Sequence, residues 1–231
     1  MLLNDYIGHN GQIAGVDEFR LQGGKGDGMR MLCVRNASGL EFLVNADRCA
    51  DIPRLSVKGV NIGLFSPCGF VGPEFYDKIS PDGFLGSFTA GFLTTCGLST
   101  VGAACTDSGE FLPMHGTIGN TPCDNIFWTM DSSDITIRAT VRDCRLFSRK
   151  LVLTRTIKCK LDGNSLSIRD SVENEGPTRE PLMLLYHMNL AYPLLTEKAR
   201  VSIDSVSVTP RDERAAQGID SWDKMLPPTE G

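Results

Sequence analysis

The sequence lacks any run of lysine or arginine and any long apolar stretch. Its 231 residues carry a net charge of -5 and a pI of about 5.2, which disfavours nucleic acid and anionic membrane surfaces as partners. No apolar segment approaches the roughly 20 residues that a membrane-spanning helix needs. The first residues, Met-Leu-Leu-Asn-Asp-Tyr, have neither the charged nor the apolar region of a signal peptide. We therefore expect a cytoplasmic protein that binds neither nucleic acid nor membrane.

The eight cysteines follow no metal-ligand pattern. They are spread widely, and no two of them are spaced as Cys-x-x-Cys, so a zinc site has little support. Several lie in apolar or strand-like segments, where a free cysteine behaves as a small hydrophobic residue. We therefore predict reduced thiols.

Short apolar runs between turns rich in glycine and proline dominate the chain, and helical periodicity is scarce. Residues 29–35 and 40–46 are apolar runs joined by Asn-Ala-Ser-Gly, which predicts a hairpin. Residues 55–60 and 62–65 predict another short pair of strands. Residues 135–142 alternate apolar and polar side chains, as a half-buried strand does. Many short strands with almost no helix predict an antiparallel β-sandwich.

The clearest local signal is a hairpin between residues 151 and 172. Two alternating runs flank Asp162-Gly163, and Asp-Gly in this setting is a strong hairpin signal. A two-residue loop would place Arg155 opposite Asp170 on the apolar face. Either charge would be costly there alone, but as a pair they can satisfy each other. We predict a structural ion pair.

Three further segments carry weaker signals. Residues 66–86 are rich in glycine and proline and predict a long loop, a feature that is usually functional in a compact domain. Residues 201–208 alternate apolar and polar side chains and predict another strand. Residues 211–225 predict one or two helical turns.

The most apolar segment, residues 181–195, predicts a buried strand that contains polar side chains. Tyr186, His187 and Asn189 lie within it. A buried polar group costs a few kcal/mol unless it is partnered, so these groups are either satisfied inside the core or used on a ligand. His115 is followed directly by a glycine, which allows a ligand or another strand to approach the backbone closely. A turn histidine at a loop edge is the alternative.

Four segments, in order along the chain, carry a resemblance to a known superfamily. They are Val44-Asn-Ala-Asp-Arg-Cys-Ala-Asp-Ile52, Gly91-Phe-Leu-Thr-Thr-Cys-Gly97, Leu112-Pro-Met-His-Gly-Thr-Ile-Gly-Asn120 and Leu184-Leu-Tyr-His-Met-Asn-Leu-Ala-Tyr-Pro-Leu-Leu195. Together they resemble the aldose 1-epimerase (galactose mutarotase-like) superfamily, and within it the branch labelled DUF4432. The resemblance runs roughly from Leu40 to Trp222. It implies one large antiparallel β-sandwich domain over residues 1–231, a carbohydrate cleft across one sheet, no metal and no organic cofactor.

The resemblance also implies a chemistry for the two histidines. Mutarotases interconvert the α and β anomers of an aldose: a histidine protonates the ring oxygen while a glutamate removes the proton of the anomeric hydroxyl. His187 corresponds to the general acid, and His115 to the histidine that orients the sugar and its ring oxygen. A histidine suits this work because its pKa, near 6.5, lets it give and take a proton at neutral pH.

Three further residues are implied to bind substrate. Arg48 would donate hydrogen bonds to sugar hydroxyls, and the alternative for it is a salt bridge with Asp47 or Asp51. Asn120 and Asn189 are lesser candidates, for which a structural role is the alternative. The expected partner is a small-molecule sugar, either an aldose or a derivative of one, and a homo-oligomer is left open.

The sequence departs from the superfamily pattern in three places. The asparagine follows His187 by two residues instead of four, and Cys49 stands where the branch usually has glycine. The superfamily's base is a glutamate near the end of a longer chain, whereas Glu230, the last acidic residue here, has no matching surroundings. We therefore expect a C-terminally incomplete sandwich with little mutarotase activity and with strand edges prone to association. Any base within this chain would be Asp51 or Glu74.

Other functions stay open. A carbohydrate-binding or regulatory protein would keep the cleft without turnover. An isomerase of phosphorylated or acidic sugars would need a basic cleft or a glycine-rich anion cradle; residues 23–28 are the one candidate, and they lack a following helix. A cupin-type metal isomerase would need clustered histidines, and the polar segment around His9 gives no reason for it to join His115 and His187.

Overall fold

The chain folds into an antiparallel β-sandwich, as predicted. The computed structural model describes residues 6–227. Two short α-helices occur, α1 (Gly83–Ser87) and α2 (Glu213–Ala216), with 3-10 turns at Asn10–Gln12, Gly24–Gly26, Pro73–Phe75, Ile118–Asn120 and Ile219–Ser221. The strands are β1 (Gly15–Arg20), β2 (Arg30–Arg35), β3 (Leu40–Asn45), β4 (Asp51–Val57), β5 (Val60–Asn61), β6 (Leu93–Leu98), β7 (Cys105–Asp107), β8 (Glu110–Leu112), β9 (Asn125–Met130), β10 (Asp134–Cys144), β11 (Lys150–Lys160), β12 (Leu166–Asn174) and β13 (Met183–Met188).

Two sheets pack face to face around one hydrophobic core. The larger sheet has the order β1-β2-β3-β4-β6-β13, with β5 paired to β4, and the smaller has the order β12-β11-β10-β9. Phe42 and Val44 from the larger sheet and Ile137 and Ile157 from the smaller one share the core, each at most 1% exposed. Side chains alternate between the two faces of a strand, so the polar neighbours of these residues point outward. The separate hairpin β7-β8 belongs to neither sheet.

The predicted register of the β11–β12 hairpin is confirmed. Arg155 lies opposite Asp170, and the ladder ends with Cys159 opposite Leu166. The β2–β3 hairpin is confirmed as well, with antiparallel pairing from end to end. In both cases the alternation of apolar side chains fixes the register, because a slip of one residue would turn the apolar set toward solvent.

The β11–β12 turn is longer than the predicted two-residue loop. The side-chain amide of Asn36, in the β2–β3 turn, donates to the carbonyls of Lys160 and Gly163 at 2.9 and 2.6 Å. These hydrogen bonds draw the loop carbonyls away from the hairpin ladder, so the strands end earlier while the register is kept.

The β4–β5 hairpin also differs from its prediction. Lys58 and Gly59 both have positive φ, 51° and 80°, which suits a two-residue hairpin turn. The second strand is Val60–Asn61, not residues 62–65. Gly63 makes a single bridge to the turn after β13 instead, so this part of the chain joins the larger sheet near its edge.

The strand predicted at residues 201–208 is wrong. No strand forms there, and Ile203 is 61% exposed while Val206 is fully exposed. The apolar positions shift from odd to even numbers at Ser205, so no single face could bury them all. The helical turns predicted at residues 211–225 are confirmed as α2 and a 3-10 turn. Residues 66–86 contain α1 and a 3-10 turn, so they are less irregular than predicted.

The strand β13 is exposed, contrary to the prediction of a buried strand. Leu185 and Met188 are 39% and 47% exposed, because β13 is the outer strand of the larger sheet and β12 is the outer strand of the smaller one. A cavity of about 590 Å³ lies between these two strands, and its walls include Phe92 and Ile168. Within residues 6–227 no strand pairs with the outer edge of either one. Association through these edges stays a prediction.

Two further findings bear on the class of protein. All eight cysteines are free thiols, and four of them are buried. In the stretch from residue 6 to residue 227, no helix is long and apolar enough to cross a membrane.

Candidate functional site

The two histidines singled out by the sequence converge on one site. His187 lies on β13, opposite Thr94 of β6, and His115 lies in the loop that follows β8. Their ring centroids are 5.4 Å apart, and the rings meet nearly at right angles, at 84°. A hexose is larger than this separation, so both imidazoles can contact one sugar ring.

The backbone at His115 is strained and tightly held. Its φ is 59°, a left-handed conformation that is uncommon for a residue other than glycine. Its carbonyl accepts from the amide of Gly97 at 2.9 Å. The next residue, Gly116, also has positive φ, and a Cβ atom there would lie 2.1 Å from the carbonyl oxygen of Gly97. The glycine after His115 is therefore required for the close approach of two backbones, and strain of this kind is concentrated at functional sites.

Aromatic side chains form an apolar wall beside the pair. Phe84 of α1 lies 4.7 Å from the His115 ring, and Phe88 lies 5.2 Å from the His187 ring. Burial lowers the pKa of His115, and the charge of His187 lowers it further. Among the described residues, no group is hydrogen-bonded to the buried Nδ1 of His187. An orphaned buried polar atom of this kind is rare in folded proteins and needs an explanation.

Arg48 is buried beneath the loops that surround the site. It is 4% exposed, and its Nε donates to the carbonyl of Gly119 at 2.9 Å. Its Nη1 donates to the carbonyls of Ser87 at 2.6 Å and Val71 at 3.2 Å. Arg48 thus ties together the end of α1, the turn after His115 and the loop around Val71. Its contact with a sugar hydroxyl stays a prediction.

Neither salt bridge considered for Arg48 forms in the described part of the chain. Asp47 pairs with Arg30 at 2.8 Å. Asp51, only 6% exposed, accepts from Arg155 at 3.0 Å and from the backbone amide of Thr95 at 2.9 Å. Asp51 is therefore part of the structural framework.

Within the described part of the chain, Glu74 is neither hydrogen-bonded nor ion-paired to the imidazoles. Glu74 lies in the exposed 3-10 turn Pro73–Phe75, and Glu230 lies outside the described residues. From residue 6 to residue 227, no carboxylate is hydrogen-bonded or ion-paired to His115 or His187.

The two asparagines hold loops at the edge of the site. Asn189 is 8% exposed, and its side-chain amide donates to the carbonyls of Gly91 and His187 at 3.0 and 2.9 Å. Asn120 is equally buried, and its side-chain oxygen accepts from the hydroxyl of Ser87 at 3.4 Å. Each has the structural role named as its alternative, and sugar binding by either stays a prediction.

Sequence reasoning missed the network that anchors β13. Arg155 is fully buried and donates twice to Asp170, at 3.0 and 2.8 Å. The hydroxyl of Tyr186 donates to the same carboxylate at 3.0 Å, and burial and the Asp170 charge raise the pKa of Tyr186 to about 12. The prediction named the ion pair but not Tyr186. The aromatic wall was missed too, although Phe84 and Phe88 have the i, i+4 spacing of one helix face.

The fold is that of a galactose mutarotase-like β-sandwich. The family model described as "Domain of unknown function (DUF4432)" matches residues 26–231, so the chain belongs to that family. A proposed aldose 1-epimerase from Klebsiella pneumoniae subsp. pneumoniae MGH 78578 superposes with a TM-score of 0.86 at 26% sequence identity, over 93% of this chain and 57% of that one.

A more distant structure shows similarity in the fold alone. A galactose mutarotase-like protein from Clostridium acetobutylicum superposes with a TM-score of 0.57 at 16% identity, over 81% of this chain and 57% of that one. The chain therefore spans 57% of the length of each of these two relatives. No curated protein matches the chain.

Proposed function

We propose that this protein interconverts the anomers of an aldose or an aldose derivative, with His187 as general acid and His115 as the residue that orients the ring oxygen. The observation that carries this is the contact between the two imidazoles, 5.4 Å apart and walled by Phe84 and Phe88. The superposition on a proposed aldose 1-epimerase at 26% identity supports the same class of substrate.

The proposed proton transfers use these two imidazoles. His187 in its charged form gives a proton to the ring oxygen while the proton of the anomeric hydroxyl is removed, and the C1–O5 bond breaks. Rotation about C1–C2 and the reverse transfers, with His187 now accepting, close the ring as the other anomer. A positioned acid of this kind contributes typically 10²–10⁴-fold to the rate. His187 and His115 supply the acid and the orienting group, and a solvent water molecule accepts the proton of the anomeric hydroxyl.

A sugar-binding protein without turnover is the second candidate. The ion pairing of two buried carboxylates favours this candidate. Asp51 and Asp170 are both paired with Arg155. Because both carboxylates are already bonded in this way, and Asp51 also accepts from the backbone amide of Thr95, neither is free to take the anomeric proton.

A neutral sugar fits better than a phosphorylated one. The large cleft of about 910 Å³ beside the loop after β8 is lined by Arg145 and Arg149, but both donate to Glu110 at 2.8 and 2.9 Å. The glycine-rich segment at residues 23–28 forms a 3-10 turn, and β2 follows it. Without a following helix, it lacks the N-terminal amides that bind phosphate. A cytoplasmic location stays part of the proposal.

Exchange spectroscopy by NMR on α-glucose and α-galactose tests the function, because it measures the rate of anomer interconversion directly. We expect the protein to raise this rate above that of buffer, and His187→Gln to abolish the increase, since glutamine cannot carry the proton. The matched control is His9→Gln, because His9 is exposed and its ring accepts from the nearby amide of Gly11.

The outcomes separate the two candidates. A rate that His187→Gln leaves unchanged would contradict the proposed acid. Sugar-dependent shifts of the two imidazole NMR signals without any rate increase would favour the binding protein. A protein that gives neither response to a broad panel of aldoses has neither function.

A further inference from the structure

Gly102 and His115 hold each other through two hydrogen bonds. The amide of His115 donates to the carbonyl of Gly102 at 3.0 Å. In the opposite direction, the amide of Gly102 donates to the ring Nδ1 of His115 at 3.2 Å. The first bond fixes the backbone of His115 and the second fixes the orientation of its ring.

The second bond determines which ring nitrogen of His115 carries the proton. A backbone amide can only donate, so Nδ1 must present its lone pair to Gly102. In a neutral imidazole one nitrogen accepts and the other carries the hydrogen, and the hydrogen of His115 is therefore on Nε2. The partner of one ring nitrogen sets the state of the other, as is general for histidine.

The same bond opposes a positive charge on His115. A proton on Nδ1 would point at the hydrogen of the Gly102 amide, so charging the ring requires this contact to break. The surroundings act in the same sense: Phe84 packs on the ring from α1, and a positive charge on His187 of β13 would repel one on His115. No carboxylate in the described chain contacts the ring to compensate.

We propose that Gly102 is a positioning residue that fixes His115 as a permanently neutral Nε2–H donor, which leaves His187 as the one imidazole of the pair that transfers a proton. A fixed donor can hold an oxygen acceptor, such as a ring oxygen, but it cannot act as a general base at Nε2. The catalytic part of this inference rests on the proposed function, whereas the tautomer does not.

The tautomer is measured directly by two-dimensional ¹H–¹⁵N correlation of the imidazoles in protein labelled with ¹⁵N. We expect His115 to show a protonated Nε2 coupled to both ring protons and an unprotonated Nδ1, without change from about pH 8 to about pH 5.5, a range in which an ordinary histidine titrates. A His115 that carries its hydrogen on Nδ1, or that becomes charged in this range, overturns the proposal.

A pair of glycine variants tests the role of Gly102. Gly102 and Gly109 both have positive φ, 85° and 81°, and at both an added Cβ atom would meet nothing within 4 Å. Alanine keeps the backbone N–H but strains the left-handed backbone equally at either site, and only at residue 102 does this strain displace an amide that donates to His115. We expect Gly102→Ala to give a mixture of His115 tautomers and a titration closer to that of an ordinary histidine, and Gly109→Ala to leave the His115 signals as in the wild type. Identical His115 spectra in the two variants would overturn the assignment.

The division of catalytic roles is tested by comparing the rate losses caused by glutamine at His115 and at His187. Glutamine has an amide N–H that can replace a neutral donor, but it cannot transfer a proton. His115→Gln should keep the rate within about tenfold of the wild type, whereas His187→Gln should lose the 10²–10⁴-fold contribution of a positioned acid. Equal losses would overturn the division of roles. If the wild type lacks activity, the proposed function fails, and the NMR measurement still decides the tautomer.

Discussion

Removing Arg155 should be among the most damaging single changes in this protein. Its side chain is fully buried between the two sheets and makes four hydrogen bonds: two to Asp170, one to Asp51 and one to the carbonyl of Cys49. Substitution with methionine keeps much of the volume and removes the positive charge. Two buried carboxylates then lose their cation at once.

The magnitude follows from what is left unpaired. Breaking a buried ion pair from one side costs about 3–5 kcal/mol. The cost of Arg155→Met should lie near the upper end of this range, because Asp51 and Asp170 both lose their cation. Asp170→Asn should lie near 3 kcal/mol, the lower end of that range, because Arg155 keeps its bonds to Asp51 and to the backbone. The order of the two free-energy costs tests the argument as much as their magnitudes do.

The cost of Arg155→Met should also depend on pH. Burial raises the pKa of Asp51, and Arg155 opposes that rise, so the variant should raise the pKa further. A carboxyl group whose pKa is raised by folding destabilises the folded state above that pKa, and the penalty declines as the pH falls toward the unfolded value of about 3.9. The difference between variant and wild type should therefore be smaller at about pH 5 than at about pH 7.5.

Urea unfolding, followed by circular dichroism at both pH values, measures these free energies. The matched control is Asp17→Asn, because Asp17 and Arg35 form an exposed pair, with side chains 66% and 43% exposed; such pairs contribute about 1 kcal/mol or less. A cost below about 1.5 kcal/mol for Arg155→Met, or a larger cost for Asp170→Asn, would refute the view that the buried charges depend on one another.

Three further substitutions have definite expected outcomes. Tyr186→Phe removes a hydrogen bond to a buried carboxylate and should lower the unfolding free energy by about 1.5–3 kcal/mol, measured by urea unfolding. Arg48→Met leaves three loop carbonyls without their donor and should cost at least about 3 kcal/mol at about 1–3 kcal/mol for each buried group; a smaller loss in the same assay would show that water replaces the guanidinium. Gly116→Ala would bring a Cβ atom to 2.1 Å from the carbonyl oxygen of Gly97, so it should shift the imidazole NMR signals of the site, whereas Gly109→Ala, with open space around its Cβ, should not.

The local rules of β-structure were sufficient to predict part of the fold. The register that places Arg155 opposite Asp170 follows from side-chain alternation and a turn signal, both of which lie within about 20 residues of sequence. The prediction of a strand at residues 201–208 is wrong, because the phase of the alternation shifts at Ser205. The predicted burial of β13 is wrong as well, because the position of a strand within a sheet depends on which other strands pair with it, and that is a long-range property.

The sequence predicted the two histidines of the candidate site, but it did not predict the contacts that support them. The motif-like segments around His115 and His187 indicated one site, and the rings are in contact. The environment of Arg48 could not be predicted, because its acceptors are the carbonyls of Val71, Ser87 and Gly119. Backbone carbonyls occur at every residue, so the sequence contains no signal for which of them an arginine will find.

The position of His187 shows how an exposed outer strand can carry a precise site. Consecutive residues of a strand point to opposite faces, so Tyr186 and His187 lie on different sides of β13. Tyr186 bonds to Asp170, whose carboxylate is fixed by the fully buried Arg155, and this links the outer strand of one sheet to the outer strand of the other. The opposite side is then free to present His187 to His115. Because the anchoring contacts and the chemical contacts are on separate faces, loss of the tyrosine hydroxyl should loosen His187 without removing any group from the site itself.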